Sequence, residues 1–150
     1  MVSTVITFDK LACKRAVSGA GVNLAREVSL RTGEKFDSAD IAAKLGLPLF
    51  VKPNASGSSF GVTKVKSVEE IAPAVEAAFR ESDMVLLEEF VDGREVACGL
   101  MISRDGVETV FPLTEMISRN EFFDYQAKYT PGFSEEITPA DLDPDVAAQV

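Results

Sequence analysis

Residues 49–65 read LFVKPNASGSSFGVTKV, and the rest of the chain is best read outward from them. Leu49, Phe50 and Val51 form a short apolar run that predicts a strand. That strand delivers Lys52 to its end, and Pro53, with no N–H to donate, is expected to stop the ladder. A small polar loop follows, Asn54-Ala55-Ser56-Gly57-Ser58-Ser59, closed by Gly61, and a second strand is expected over Val62 to Val65. Small residues let the backbone approach a ligand closely, and loop N–H groups with hydroxyls can cradle an anion. A lysine fixed at the base of such a loop offers a point charge to phosphate. The same letters also fit an ordinary hairpin with a serine-rich tip, and the pattern alone leaves both readings open.

Length and charge limit the alternatives. A chain of 150 residues can bury roughly two-thirds of its unfolded surface, enough for one substantial core. With 46% hydrophobic and 26% charged residues it has the composition of an ordinary globular protein. The formal net charge of −9 argues against nucleic acid or an anionic membrane as partner. No apolar run approaches the ~18 residues of a membrane span, and residues 1–10 carry no signal-peptide pattern. The two cysteines, Cys13 and Cys98, lie in different expected elements and read as reduced cytosolic thiols. The chain has no histidine, which excludes a serine–histidine or cysteine–histidine nucleophile within it, and no Cys/His grouping suits zinc.

The punctuation along the chain predicts mixed helices and strands. Thr7 or Asp9 can cap a helix from about Asp9 to Ser18, ended by Gly19 and Gly21. Val22 to Leu30 reads as extended, and Ser38 opens a short helix stopped by Gly46. Ser67-Val68-Glu69-Glu70 has the form of a capping box, followed by Ile71, Val75, Ala78 and Phe79 at helical spacing. Met84 to Leu87 reads as a buried strand ending in Glu88-Glu89. Val91-Asp92-Gly93 is a turn, and Arg104-Asp105-Gly106 joins strands over Glu95–Ser103 and Val107–Phe111. Pro112 to Asp141 reads as irregular with an aromatic cluster, and such segments are usually functional loops or disorder. Asp143-Pro144 is a helix cap with a first-turn proline, yet only about six residues follow where ~11 are typical. The sequence therefore reads as a fragment or excised domain of α+β (α/β-type) class. It is expected to break near Glu95 into residues 1–95, a helix–strand domain, and 96–150, the start of a second sheet.

Three further stretches carry chemistry. In Val85–Val96, VLLEEFVDGREV, Glu88, Glu89 and Glu95 gather around an Asp-Gly turn, and a carboxylate accepts hydrogen bonds from amines or sugar hydroxyls. In Phe122–Phe133, FFDYQAKYTPGF, aromatics surround Lys128. In Phe8–Arg15, FDKLACKR, Lys10 and Lys14 share a helical face, which on its own reads as a solvated face.

In this order and spacing the four stretches resemble the D-alanine–D-alanine ligase family of the ATP-grasp superfamily. DKLACK is similar to that family's DK-x-x-x-K segment, FVKPNASGSSFGVTKV to its VKP-x-x-x-GSS-x-G nucleotide loop, LLEEFVDGREV to its adenine- and ribose-binding stretch, and FFDYQAKY to its YDY-x-AKY omega loop. The resemblance covers about Thr7 to Pro139. It implies an ATP-grasp central domain plus an incomplete second sheet, with the omega loop at about residues 122–134.

The resemblance also implies roles. Lys14 and Lys52 would contact ATP phosphates, and Gly57, Ser58 and Ser59 would lie over the phosphates and the reacting carboxyl. Glu88 would take the adenine amine, Glu89, Phe90 and Val91 would line the purine slot, and Glu95 would bind ribose. Lys128 would reach the terminal phosphate as the loop closes, and Tyr129 would hydrogen-bond Ser58 to hold the lid down, which makes Ser58, Lys128 and Tyr129 the catalytic set. The implied reaction joins two D-alanines. ATP phosphorylates one carboxylate, the second amine attacks the acylphosphate, and the dipeptide enters peptidoglycan precursors in the cytoplasm. Such transfer depends on positioned cations and excluded water. The implied whole enzyme is a homodimer using magnesium or manganese, with the metal ligands outside this chain, so the piece itself is expected to bind nucleotide at most. Relative to the family pattern, Ser56 stands where a glutamate is often found and Phe123 replaces the first omega-loop tyrosine. Lys128-Tyr129 favours dipeptide formation over depsipeptide synthesis, because resistance-type relatives tend to carry a histidine there. Another ATP-grasp carboxylate–amine ligase, or a non-catalytic nucleotide-binding or interaction module, remains an alternative reading.

Overall fold

The computed structural model describes residues 2–150, which divide into two units, one ending at Val91 and the other running Asp92–Val150. Glu95 thus belongs with the second unit.

In the first unit a four-stranded antiparallel sheet has the order β1 (Glu27–Arg31), β4 (Met84–Glu89), β2 (Leu49–Pro53), β3 (Thr63–Val65). Strand alternation gives the sheet two unlike faces. One face presents Leu30, Val85, Leu87, Leu49, Val51 and Val65, which pack with Ile41 and Leu45 of α3 (Ser38–Leu45) and Ile71, Ala74, Val75 and Ala78 of α4 (Val68–Phe79). Fully burying each large aliphatic chain contributes about 1.5–3 kcal/mol, so this face supplies most of the unit's stability. The other face carries Glu27, Glu88, Phe50, Lys52 and Lys64, whose partners follow from the register Glu27↔Glu88, Phe50↔Glu88 and Phe50↔Lys64. Leu86 is fully buried on that second face, beneath the charged residues.

Several local expectations shift for physical reasons. Helix α1 (Val2–Phe8) precedes α2 (Lys10–Val17), and Asp9 caps α2 by accepting from the Ala12 N–H at 2.8 Å. Strand β1 begins only at Glu27, later than the extended run expected from Val22. Asp37, one residue before Ser38, caps α3 and accepts from the Ala39 N–H at 2.7 Å. Ser67 caps α4 without a side-chain bond to the helix N–H groups, and Glu70 turns back to the Lys66 N–H at 2.7 Å. Pro53 does not end the ladder but pairs with Val85. The next N–H, on Asn54, donates to Met84 at 2.9 Å, so in the alternating pattern Pro53's missing donor falls on the β3 side, where pairing already stops at Val51.

The second unit differs more from expectation. The segment 112–141 is not irregular; it holds β8 (Thr114–Ser118), α5 (Tyr125–Tyr129) and β9 (Ser134–Ile137), with α6 (Pro144–Ala147) after it. Strands β5 (Glu95–Ala97), β8 and β9 form one antiparallel sheet, while β6 (Leu100–Ile102) and β7 (Glu108–Val110) form a separate hairpin. The single strand expected over Glu95–Ser103 is split by a register change. Ala97 faces Thr114 but Leu100 faces Val110, so residues 98 and 99 oppose 111, 112 and 113, an extra residue that bends the ribbon. Gly99 accepts the Phe111 N–H at 2.8 Å there, and a Cβ on it would sit 3.3 Å from the Phe111 ring.

Candidate functional site

The open face of the first sheet is where cations, a carboxylate and a strained loop come together. Helix α2 lies across it. Lys10 and Lys14, one turn apart, both reach down, so this pair is not a solvated helical face. The Lys10 ammonium donates to three carbonyls of the loop base, Pro53 at 2.9 Å, Asn54 at 3.2 Å and Ser56 at 2.7 Å. Lys14 donates to Glu88 Oε1 at 2.6 Å and to the Ala25 carbonyl at 2.7 Å. Glu27 Oε2 faces the same ammonium as an ion pair without an aligned hydrogen bond. Lys52, from β2, pairs with the other Glu88 oxygen, so one buried carboxylate joins both lysines. Burial pushes the Glu88 carboxyl up, but the Lys52 charge and hydrogen bonds from Lys14 and Lys52 outweigh it and leave its pKa below the ordinary value. Burial likewise works against Lys14, and its bonds to Glu27 and Glu88 still hold its pKa raised.

The loop beyond Lys52 is fixed from below and strained above. Asn54 is buried, and its Oδ1 accepts the Leu11 N–H at 2.9 Å, which ties the loop base to α2. Ser58 and Ser59 adopt φ of 52° and 57°, the left-handed region, and Gly61 follows at 73°. Two successive non-glycine residues there cost on the order of 1–3 kcal/mol each and mark functional turns. Gly57 lies at the tip in open space, whereas a Cβ on Gly61 would come within 2.8 Å of Pro53.

Past β4 the expected carboxylate grouping separates. Glu88 and Glu89 alternate to opposite faces, and Glu89 is held by Arg26, whose backbone N–H donates at 2.7 Å and whose Nε donates at 2.5 Å. Phe90 returns to the open face, its ring tilted on Phe50 at a centroid distance of 5.9 Å, with the Lys64 ammonium 3.9 Å from its own centroid. Val91 is exposed.

The remaining candidates lie in the second unit. Glu95 is exposed on β5 opposite Met116. Lys128 and Tyr129 stand on α5, capped by Asp124, which accepts the Ala127 N–H at 2.7 Å and receives Asn120 Nδ2 at 2.9 Å. Lys128 lies 5.3 Å from the Phe123 centroid, and the Tyr125 and Tyr129 rings are 4.7 Å apart. Buried Ala127 and the Ser134 hydroxyl on its carbonyl, at 2.7 Å, hold this helix to β9.

A lysine-floored strand end beneath a glycine–serine loop, followed by a capped aromatic–lysine turn, is matched by one family model, D-ala D-ala ligase C-terminus, over residues 17–150. The chain belongs to the D-Ala–D-Ala ligase C-terminus family. Among curated D-Ala–D-Ala ligases it is 50% identical to that of Phocaeicola vulgatus over 98% of this chain, and 43% identical to that of Bacteroides fragilis over 100%. It spans 45% and 46% of those proteins' lengths. Among solved structures it is similar to the VanG D-Ala:D-Ser ligase of Enterococcus faecalis, with a TM-score of 0.81 and 34% identity over 98% of this chain and 43% of that one. The D-Ala–D-Ala ligase of Bacillus anthracis gives 0.73 and 29% over 94% and 44%. The α+β architecture is accordingly that of D-Ala–D-Ala ligases, the ATP-grasp fold.

Sequence reasoning missed Lys10, Asn54, Glu27, Arg26 and Lys64 as parts of this family's site in the present chain. The i, i+4 spacing of Lys10 and Lys14 was a usable signal for one of them. The others depend on strand order, which no local pattern carries.

Proposed function

We propose that this chain is the nucleotide-binding part of an ATP-dependent D-alanine–D-alanine ligase that makes the dipeptide for peptidoglycan precursors. The observation carrying the reading is the pair of lysines, Lys14 and Lys52, converging under a left-handed Ser58-Ser59 turn. The first unit acts as the central ATP-binding domain, and the second begins the C-terminal domain. In this reading Lys14 and Lys52 hold phosphates while Gly57, Ser58 and Ser59 cover them. Glu88 takes the adenine amine, with Glu89, Phe90 and Val91 around the base and Glu95 on the ribose. Lys128 and Tyr129 belong to the closing loop, Lys128 for the terminal phosphate and Tyr129 for the Ser58 hydroxyl. Water exclusion and fixed cations are the contributions such residues can make to phosphoryl transfer.

Among the described residues no group of three or more His, Cys, Asp or Glu converges to hold a metal ion. The donor set therefore does not fit magnesium, and no step here runs through it. Identity of 50% to a curated D-Ala–D-Ala ligase favours D-alanine as acceptor over the D-serine named for the 34%-identical VanG enzyme. With this reading go a cytoplasmic location and a homodimeric whole enzyme.

Isothermal titration of magnesium-ATP into the chain and into Lys52→Met tests the reading. Saturable binding lost in the variant is expected, and a folded wild-type chain that takes up no nucleotide would overturn it. A phosphate-release assay with D-alanine should find negligible turnover from this chain, and ordinary ligase rates would contradict that expectation.

A further inference from the structure

Of the cations on the open face, Lys14 and Lys52 are shared by Glu88, and Lys10 is taken by loop carbonyls. Lys64 differs. Among the described residues it makes no ion pair with a carboxylate, and its ammonium rests instead 3.9 Å from the centre of the Phe90 ring. Its position is dictated by the sheet. Lys64 faces Phe50 across β3 and β2, and Phe50 faces Glu88 across β2 and β4, so the three lie in one row. Phe90 sits just past β4, in a stretch without regular backbone pairing, and its ring is held by two contacts, the Phe50 ring and the Lys64 ammonium. A side chain on an unpaired stretch is otherwise free to change rotamer, and each fixed one costs conformational entropy. A cation over an aromatic face is an attraction the ring quadrupole supplies.

We infer that Lys64 is a positioning residue for the base end of the nucleotide site, holding Phe90 edge-on to Phe50 so that the purine meets a preformed aromatic surface. This rests on the reading of Phe90 as part of the purine slot. Lys64 acts through Phe90, so its removal weakens every adenine-bearing ligand alike, with or without phosphates. A lysine that touched phosphate would instead discriminate between them.

The test is isothermal titration of magnesium-ATP and of adenosine into wild type, Lys64→Met and Lys64→Arg, with circular dichroism confirming that each is folded. Lys64→Met should weaken both ligands by the same factor, about two- to fivefold for one partly exposed cation–ring contact. Lys64→Arg, which keeps a cation over the ring, should restore both. Unchanged binding in Lys64→Met overturns the inference and leaves the nucleotide reading standing. Loss confined to ATP also overturns it, in favour of a direct phosphate contact. A wild-type chain that binds neither ligand removes both readings together.

Discussion

Lys14 meets Glu88 Oε1 at 2.6 Å although 74 positions separate them in the sequence. That contact joins helix α2 to the central strand β4, and Lys52 takes the second oxygen of the same carboxylate. The two lysines are thereby held close together, which their mutual repulsion would otherwise oppose.

This linkage makes stability depend on acid. The folded Glu88 pKa lies below its ordinary 4.5, so its contribution is complete above about pH 4.5 and is lost as pH falls through the folded value. The Lys14 pKa is raised above 10.5, so its contribution is complete below that and is lost only as pH rises through the folded value. Glu88→Gln should cost about 1–3 kcal/mol at pH 7, reduced from fully buried pairs by partial solvent access. It should also flatten the loss of stability below pH 4.5. Urea unfolding of both proteins from pH 3 to 7 measures this, and parallel pH curves would contradict the linkage.

Asn54→Ala should destabilise the first unit by about 1–3 kcal/mol, because the buried Leu11 N–H loses its acceptor. Hydrogen exchange should show the Leu11 amide opening faster than amides of β4. Equal protection in variant and wild type would mean that Asn54 does not fasten the helix.

Two glycines of the loop should respond oppositely. Gly61→Ala places a Cβ 2.8 Å from Pro53 at a φ of +73° and should cost about 2 kcal/mol or more. Gly57→Ala meets nothing within 4 Å and should melt within a degree or two of wild type. Thermal unfolding of the pair decides it, and similar melting temperatures for the two variants would be inconsistent with the loop geometry.

In the second unit Arg94 grips Glu115 through both oxygens, at 2.6 and 2.5 Å, and also donates to the Asp141 carbonyl at 2.8 Å. The Arg94 hydrogen bond holds the Glu115 carboxyl below its ordinary value. Arg94→Lys preserves charge but loses the two-pronged geometry, so it should lower the urea midpoint of this unit. Adding Glu115→Gln to it should cost less than the sum of the singles. Strict additivity would show that the pair is not coupled.

Much of the first unit was legible because local chemistry and final structure agree. Asp9 caps where a cap was expected, Ile71, Val75 and Ala78 are buried at helical spacing, and Lys52 stands at a strand end below a glycine–serine loop. What was not legible depends on pairing. Nothing near Glu27 in sequence shows that it lies across from Glu88, because that follows from β1 and β2 flanking β4. The second unit was harder still. Strand β8 buries Glu115 and β9 reads Ser-Glu-Glu-Ile, so charged residues occupy strand positions and the alternation of apolar and polar residues is missing. Arg94, two turns of reasoning away in sequence terms, is what makes a buried Glu115 tolerable.

One consequence of the two-faced sheet concerns fidelity of assembly. Val85 and Leu87 enter the core while Leu86 and Glu88 face the other way, all from one strand. A slip of β4 by a single residue would drive Glu88 into hydrocarbon and turn Leu87 out among lysines. Such a chain would lose its core and its charged site in one event. Folding therefore proofreads the lysine–glutamate arrangement, and molecules compact enough to persist carry it already aligned.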